Sequence, residues 1–127
     1  MKFYLCKICG NLVGMVYESG VVMECCGQDM IELVPCTSDG AKEKHVPVYT
    51  CENNHIMVTI GAEEHPMTDK HYIEWIALET EKGAQRKDLN PGDAPRAEFV
   101  LTYDDKPVAV YAYCNIHGLW MADVECK

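Results

Sequence analysis

No apolar run in this 127-residue chain approaches the ~18 residues that a membrane-spanning helix needs, so no helical span is expected. Positive charge is in deficit. Eleven Lys and Arg face 20 Asp and Glu, for a net charge of -9, which argues against nucleic acid as the main partner because phosphate contacts are made by cations. The opening Met1-Lys2-Phe3-Tyr4-Leu5-Cys6 lacks the apolar core and small-residue cleavage site of a secretory signal, so a cytoplasmic location is expected. No segment carries a helical period of useful length, and there is no internal repeat. Histidine is missing before His45. Near-average hydrophobic (48%) and charged (24%) fractions exclude wholesale disorder.

What the chain does have is 8 Cys and 5 His. In a reducing compartment, cysteines more often bind metal than pair as disulfides. Cys6, Cys9, Cys25, Cys26 and Cys36 all fall in the first 36 residues, ahead of every histidine. This shift predicts a small cysteine-rich module over 1–36 and a histidine-bearing domain over 37–127. The polar Thr37-Ser38-Asp39-Gly40-Ala41 reads as the linker, with a turn-forming Asp-Gly.

The second domain reads as mostly strand. Val46–Thr50 and Ile56–Ile60 are short and β-branched, with a hairpin candidate at Glu52-Asn53-Asn54 between them. Tyr72–Glu79, Ala97–Tyr103, Val108–Tyr113 and Leu119–Val124 follow, separated by turn clusters at Asn90–Pro95 and Asp104–Pro107. Many short strands with turns between them suggest a mainly β protein whose larger part is an immunoglobulin-like β-sandwich.

Two constellations carry chemistry. Cys6-x2-Cys9 stands fifteen residues before the adjacent pair Cys25-Cys26. Four thiolates suit tetrahedral zinc or iron, and spacing alone does not choose between them. Gly10 permits the tight turn after the first pair. The second pair is unusual, because neighbouring residues of a regular strand point to opposite faces. Both sulfurs reach one ion only if the backbone turns there, and Gly27 is placed to help. A module of some 36 residues also needs a metal to fold, having too little apolar surface to bury. The other constellation is His45, His65, His71 and the Cys-x2-His of Cys114 and His117. Imidazole suits iron, zinc, copper or nickel, and a thiolate adds a strong electron donor. His55 stands apart as an exposed or core histidine.

These residues match a known pattern nearly end to end. Cys6-x2-Cys9-x15-Cys25-Cys26 resembles desulforedoxin, a small Fe(Cys)4 unit. The segments Glu43-Lys44-His45-Val46-Pro47, His65-Pro66-Met67, Lys70–Ile76, Pro91–Pro95 and Tyr113–Gly118 resemble the active-site segments of desulfoferrodoxin, the two-iron superoxide reductase. The resemblance implies two iron ions per chain. One would be held by Cys6, Cys9, Cys25 and Cys26. The other would have His45, His65, His71 and His117 as equatorial ligands, Cys114 as axial thiolate and an open sixth position. It implies one-electron reduction of superoxide to hydrogen peroxide with no dioxygen formed. It also implies that Glu43 is a mobile carboxylate able to cap the ferric site. Lys44 directly precedes a candidate ligand, and its ammonium is a candidate steering charge that offsets the acidic chain's repulsion of an anion. A small donor such as rubredoxin and a homodimer are the expected partners. Cys36, Cys51 and Cys126 have no role in that pattern, and buried free thiols are the commoner fate of such cysteines. A non-catalytic iron electron carrier and a zinc-stabilised binding module remain the competing readings.

Overall fold

The structure, a computed structural model, describes residues 1–38 and 44–126. Part of the expected linker, Asp39–Ala41, and Glu43 lie outside the described residues. The chain divides into two compact units, Met1–Val34 and Pro35–Lys127. Among the described residues there is no helix, and hence none long and apolar enough to cross a membrane.

The first unit is built from very short strands. β1 (Phe3–Leu5) is central, between β2 (Leu12–Gly14) and β5 (Ile31–Glu32). β3 (Glu24–Cys25) and β4 (Gln28–Asp29) form a separate hairpin. Its buried apolar side chains are few: Phe3, Cys6 and Met30. None of these strands is legible from periodicity, because two or three residues are too short to show a period.

The second unit is a seven-stranded sandwich. β6 (Pro47–Glu52), β7 (His55–Ile60) and β10 (Arg96–Val100) form one sheet in the order β10-β7-β6. β8 (Ile73–Thr80), β9 (Gly83–Asp88), β11 (Pro107–Cys114) and β12 (Gly118–Asp123) form the other, in the order β12-β11-β8-β9. The strands within each of these two sheets pair antiparallel. This is the immunoglobulin-like architecture, with the fourth strand β9 joined to the β8 sheet. The expected strands appear with ends shifted by a residue or two, and for β10 by up to three. β9 was not expected. Its Gly83-Ala84-Gln85-Arg86-Lys87-Asp88 lies on a sheet edge, almost wholly exposed, so nothing required it to alternate.

The core follows the two-residue period of the strands. Ile56, Val58 and Ile60 of β7 and Ala97 and Phe99 of β10 meet Ile76 and Leu78 of β8 and Val110, Ala112 and Cys114 of β11. Cys114 is therefore the last inward position of β11, and it is buried because the alternation continues to it. Opposite, the register slips so that Tyr113 faces Trp75 while Cys114 faces Ile73, which leaves Glu74 bulged. Bulges re-aim side chains beside functional sites. The bulge's carbonyl accepts from Leu89 N at 2.8 Å.

Two cysteines depart from expectation. Cys51 and Cys126 are disulfide-bonded, with Cα atoms 5.7 Å apart, rather than free buried thiols. The tail after β12 lies along β6, where Glu125 N also donates to the Tyr49 hydroxyl at 3.0 Å, and this brings the two side chains together. Cys36 is free but exposed, since its backbone pairs with Trp120 in a parallel bridge instead of entering the core.

Candidate metal centres

The hairpin β3–β4 resolves the puzzle of the adjacent cysteines. Its two loop residues, Cys26 (φ 55°) and Gly27 (φ 75°), are both left-handed. This is the pattern of a tight two-residue hairpin turn. The turn swings the Cys26 sulfur back to the side of Cys25. Cys9 and Cys25 sulfurs are 3.6 Å apart, and Cys25 and Cys26 sulfurs 3.9 Å. A tetrahedral ion with metal–sulfur bonds of about 2.3 Å requires sulfurs about 3.8 Å apart. All four sulfurs lie within 4.8 Å of one another. Backbone N–H groups, that of Cys9 foremost and that of Ile8 as well, lower the Cys6 thiol to about 6. The neighbouring sulfurs, Cys9 first, raise Cys25 and push Cys26 up to about 12. Packed thiols share one negative charge readily and resist a second, a conflict that a cation removes.

The second cluster collects at one end of the sandwich. His45 comes from the segment before β6, His65 and His71 from the β7–β8 connection, and Cys114 and His117 from the β11–β12 hairpin. Ligand atoms of His45, His65, His71 and Cys114 lie within 4.8 Å of one another. His117 completes the group. Successive ring centroids around His45, His65, His71 and His117 are separated by 4.8, 4.6, 5.0 and 4.7 Å, with neighbouring rings steeply inclined. The His45–His71 diagonal is 6.3 Å. The four imidazoles therefore form a near-square ring, with His45 opposite His71.

This ring fits a metal. His45 Nε2 and His117 Nδ1 are 3.0 Å apart, the separation expected of ligands at a right angle with metal–nitrogen bonds of about 2.1 Å. His65 and His71 bury their Nε2 atoms with no hydrogen-bond partner. Such orphans are costly unless something binds them. His65 Nδ1 donates to the Pro66 carbonyl at 2.7 Å, which leaves Nε2 as the lone-pair nitrogen. Burial is the main reason that the His65 imidazole is lowered to about 4, and burial likewise lowers His71, so both stay neutral as ligands must.

Cys114 has no solvent exposure, and its sulfur is 3.8 Å from His117 Nδ1. Burial raises its thiol, opposed by the backbone N–H groups of His117, at 3.4 Å, and Ile116. His117 is exposed and His45 partly so. The sulfur thus enters from the protein side and the ring edge meets solvent. The charge of Lys44 is near enough to contribute to lowering His71. His55 takes no part, since it is exposed and paired with Glu98 at 2.8 Å.

Several positioning residues were not singled out from the sequence. Gly61 (φ 85°) lets the Lys44 carbonyl approach, and a Cβ there would lie 2.5 Å from that oxygen. Its N–H donates to the Val46 carbonyl at 3.1 Å, so the His45 segment rests on it. Trp120 stacks on the His45 ring at 4.6 Å and 17° and donates from Nε1 to the His117 carbonyl at 3.2 Å. Thr68 closes a loop on the backbone of His71. In sequence these are ordinary residues, and only their long-range neighbours give them a role.

An all-β protein with a tetrathiolate cluster in one unit and an imidazole ring over a buried thiol in the other is a non-haem metalloprotein with two mononuclear centres. Residues 37–123 match the family model described as Desulfoferrodoxin. A desulfoferrodoxin homolog of Archaeoglobus fulgidus and a desulfoferrodoxin of Nitratidesulfovibrio vulgaris are each 46% identical over 122 residues. The alignment covers 96% of this chain and 96% and 95% of theirs. The crystal structure of the superoxide reductase from Treponema pallidum superposes with a TM-score of 0.82 at 35% identity, covering 96% of this chain and 97% of that one. The chain belongs to the desulfoferrodoxin family, and it carries donor sets for two iron centres.

Proposed function

We propose that the protein is a superoxide reductase, which combines superoxide with one electron and two protons to give hydrogen peroxide and releases no dioxygen. The observation that carries this reading is the ring of four imidazoles above the buried Cys114 thiol, with two buried nitrogens awaiting a partner. The family, whose relatives include named superoxide reductases, supports it. Iron held by His45, His65, His71, His117 and Cys114 would supply the single electron and a positive point for the anion to meet.

The chain's own groups set the conditions for that chemistry. The Pro66 carbonyl fixes the His65 tautomer. The backbone N–H groups on Cys114 favour its thiolate and temper its electron donation. With Cys114 buried beneath the imidazoles, the solvent-facing side of the ring is where superoxide would reach an iron held there. Lys44 offsets the repulsion of the anionic substrate by a chain whose net charge is -9. On the resemblance, Glu43 would supply a carboxylate to the ferric centre after turnover.

The tetrathiolate centre has no free position, and we assign it electron transfer only. Residues 1–36 then act as an accessory module fed by a small donor such as rubredoxin, and 37–127 as the catalytic domain, in a cytoplasmic homodimer. The test is stoichiometry. Protein carrying two irons is reduced anaerobically and mixed with superoxide, and both products are measured. A reductase yields one peroxide per superoxide and no dioxygen. Dismutation would yield one peroxide and one dioxygen for every two. A plain electron carrier would show no fast second-order oxidation by superoxide at all.

A further inference from the structure

We infer that Asn115 is a positioning residue that locks His71 to the hairpin carrying Cys114 and His117. The inference rests on reading the imidazole ring as an iron site. Asn115 follows Cys114 in the β11–β12 hairpin, and it brackets His71 from across the sandwich end. Its Nδ2 donates to the Lys70 carbonyl at 3.0 Å, which belongs to the peptide immediately before His71. Its Oδ1 accepts from Tyr72 N at 2.9 Å, the N–H immediately after. Its own backbone N–H donates to the Tyr72 carbonyl at 3.2 Å. One residue thus satisfies the backbone on both sides of a ligand.

The grip is specific to the site. Ladder pairing between β11 and β8 ends at Cys114 and Ile73, and just beyond it the Asn115 N–H to Tyr72 carbonyl bond carries the backbone alignment one step further. Asn115 extends the pairing with a side-chain amide that acts as a further peptide group. The backbone N–H and carbonyl of His71 itself are tied within its own loop. Thr68 N donates to the His71 carbonyl at 2.9 Å, and His71 N donates to Thr68 Oγ1 at 3.1 Å. This loop, closed on itself by the Thr68 bonds, is tied to the hairpin of Cys114 and His117 by the Asn115 amide and backbone. The buried, unpartnered Nε2 of His71 shows what the bracket aims. A side chain beside Cys114 therefore couples the position of the thiol to that of the imidazole across the ring from His45.

The test compares Asn115→Ala, which removes both side-chain bonds, with Asn115→Asp, which keeps the acceptor for Tyr72 N and loses the donor to Lys70. The readouts are release of iron from the histidine centre of the two-iron protein to a chelator and the thiolate-to-iron charge-transfer band of that centre when oxidised. The iron of the tetrathiolate centre and the thermal midpoint serve as internal references. Outer-shell partners typically govern metal affinity by 10–100-fold, so Asn115→Ala is expected to release that iron about tenfold faster and to shift the band. Asn115→Asp should fall between it and the parent, with the tetrathiolate iron and the midpoint near parental values. Parental release and an unmoved band in Asn115→Ala would overturn the bracket while leaving the superoxide reductase reading intact. A parent protein that shows no thiolate-to-iron band at the histidine centre would overturn both.

Discussion

Removing the Cys51–Cys126 disulfide with Cys51→Ala and Cys126→Ser opens a ring that spans 75 residues. The ring takes in the whole of β7 to β12, so the bond constrains most of the second unit's unfolded chain. In the chain-entropy account, closing a loop of this length stabilises the folded form by about 4.5 kcal/mol at 25 °C. Domains of this kind are stable by only about 5–15 kcal/mol, so the loss is a large share of the whole. Alanine suits Cys51, which is half-buried against the core, and serine suits the exposed Cys126. The assay is urea unfolding followed by tryptophan fluorescence. Both tryptophans, Trp75 and Trp120, lie in the second unit, so the signal ignores the first. Parent and variant are compared at equal iron loading, because bound metal stabilises the folded form of each. With a urea m-value of about 1 kcal/mol/M, the midpoint should fall by roughly 4.5 M, and further as m rises with the expanded unfolded chain. A fall below about 1 M with m unchanged would refute the reasoning, since the ring would then not be limiting the unfolded state.

Other outcomes follow from the same geometry. Gly61→Ala places a methyl group 2.5 Å from the Lys44 carbonyl at a left-handed position that alone costs about 1–2 kcal/mol. It should displace His45 and deplete iron from the histidine centre while the tetrathiolate iron stays, as metal analysis with visible spectroscopy would reveal; equal occupancy at both centres would contradict this. Lys44→Ala should slow the reaction with superoxide about tenfold at low salt and flatten its ionic-strength dependence, as local fields raise on-rates by roughly 10–1,000-fold. An unchanged rate and salt slope in stopped-flow mixing would remove Lys44 from that role. Metal binding to the four cysteines should strengthen with pH. Cys25 and Cys26 are raised by their sulfur neighbours and hold protons at neutral pH that the ion must displace. At least two displaced protons imply a gain in affinity of about a hundredfold or more per pH unit, measurable by chelator competition from slightly acidic to slightly alkaline solution. A pH-independent affinity would be incompatible with protonated Cys25 and Cys26.

Much of this protein is legible along the chain because its chemistry is local in sequence. The Cys-x2-Cys, the adjacent Cys25-Cys26 and the Cys-x2-His of Cys114 and His117 hold their ligands on single turns, so spacing alone announces them. The sandwich strands show for the same reason, since Ile56–Ile60 and Val108–Tyr113 alternate or run apolar over lengths that a sheet buries. The four-imidazole, one-thiolate assignment came from resemblance to a family and not from spacing, which brings His45, His65 and His71 to no common point by itself.

What only the folded chain decides is whatever depends on distant segments meeting. The order of the ring, with His45 opposite His71, follows from three connections converging at one end of two sheets. Cys114 is buried because β11 alternates inward up to its last residue, whereas His117, three residues on, meets solvent. Gly61 matters only because the Lys44 carbonyl crosses it, and Asn115 only because His71 lies between its two hydrogen-bond partners. The Cys51–Cys126 bond depends on the tail returning to β6, and edge strand β9 on pairing with β8 rather than on any pattern of its own. Ligand type and local spacing are properties of a few neighbouring residues, so the sequence determines them. Ring geometry, burial and outer hydrogen bonds are properties of long-range packing, and they exist only once the sheets have closed.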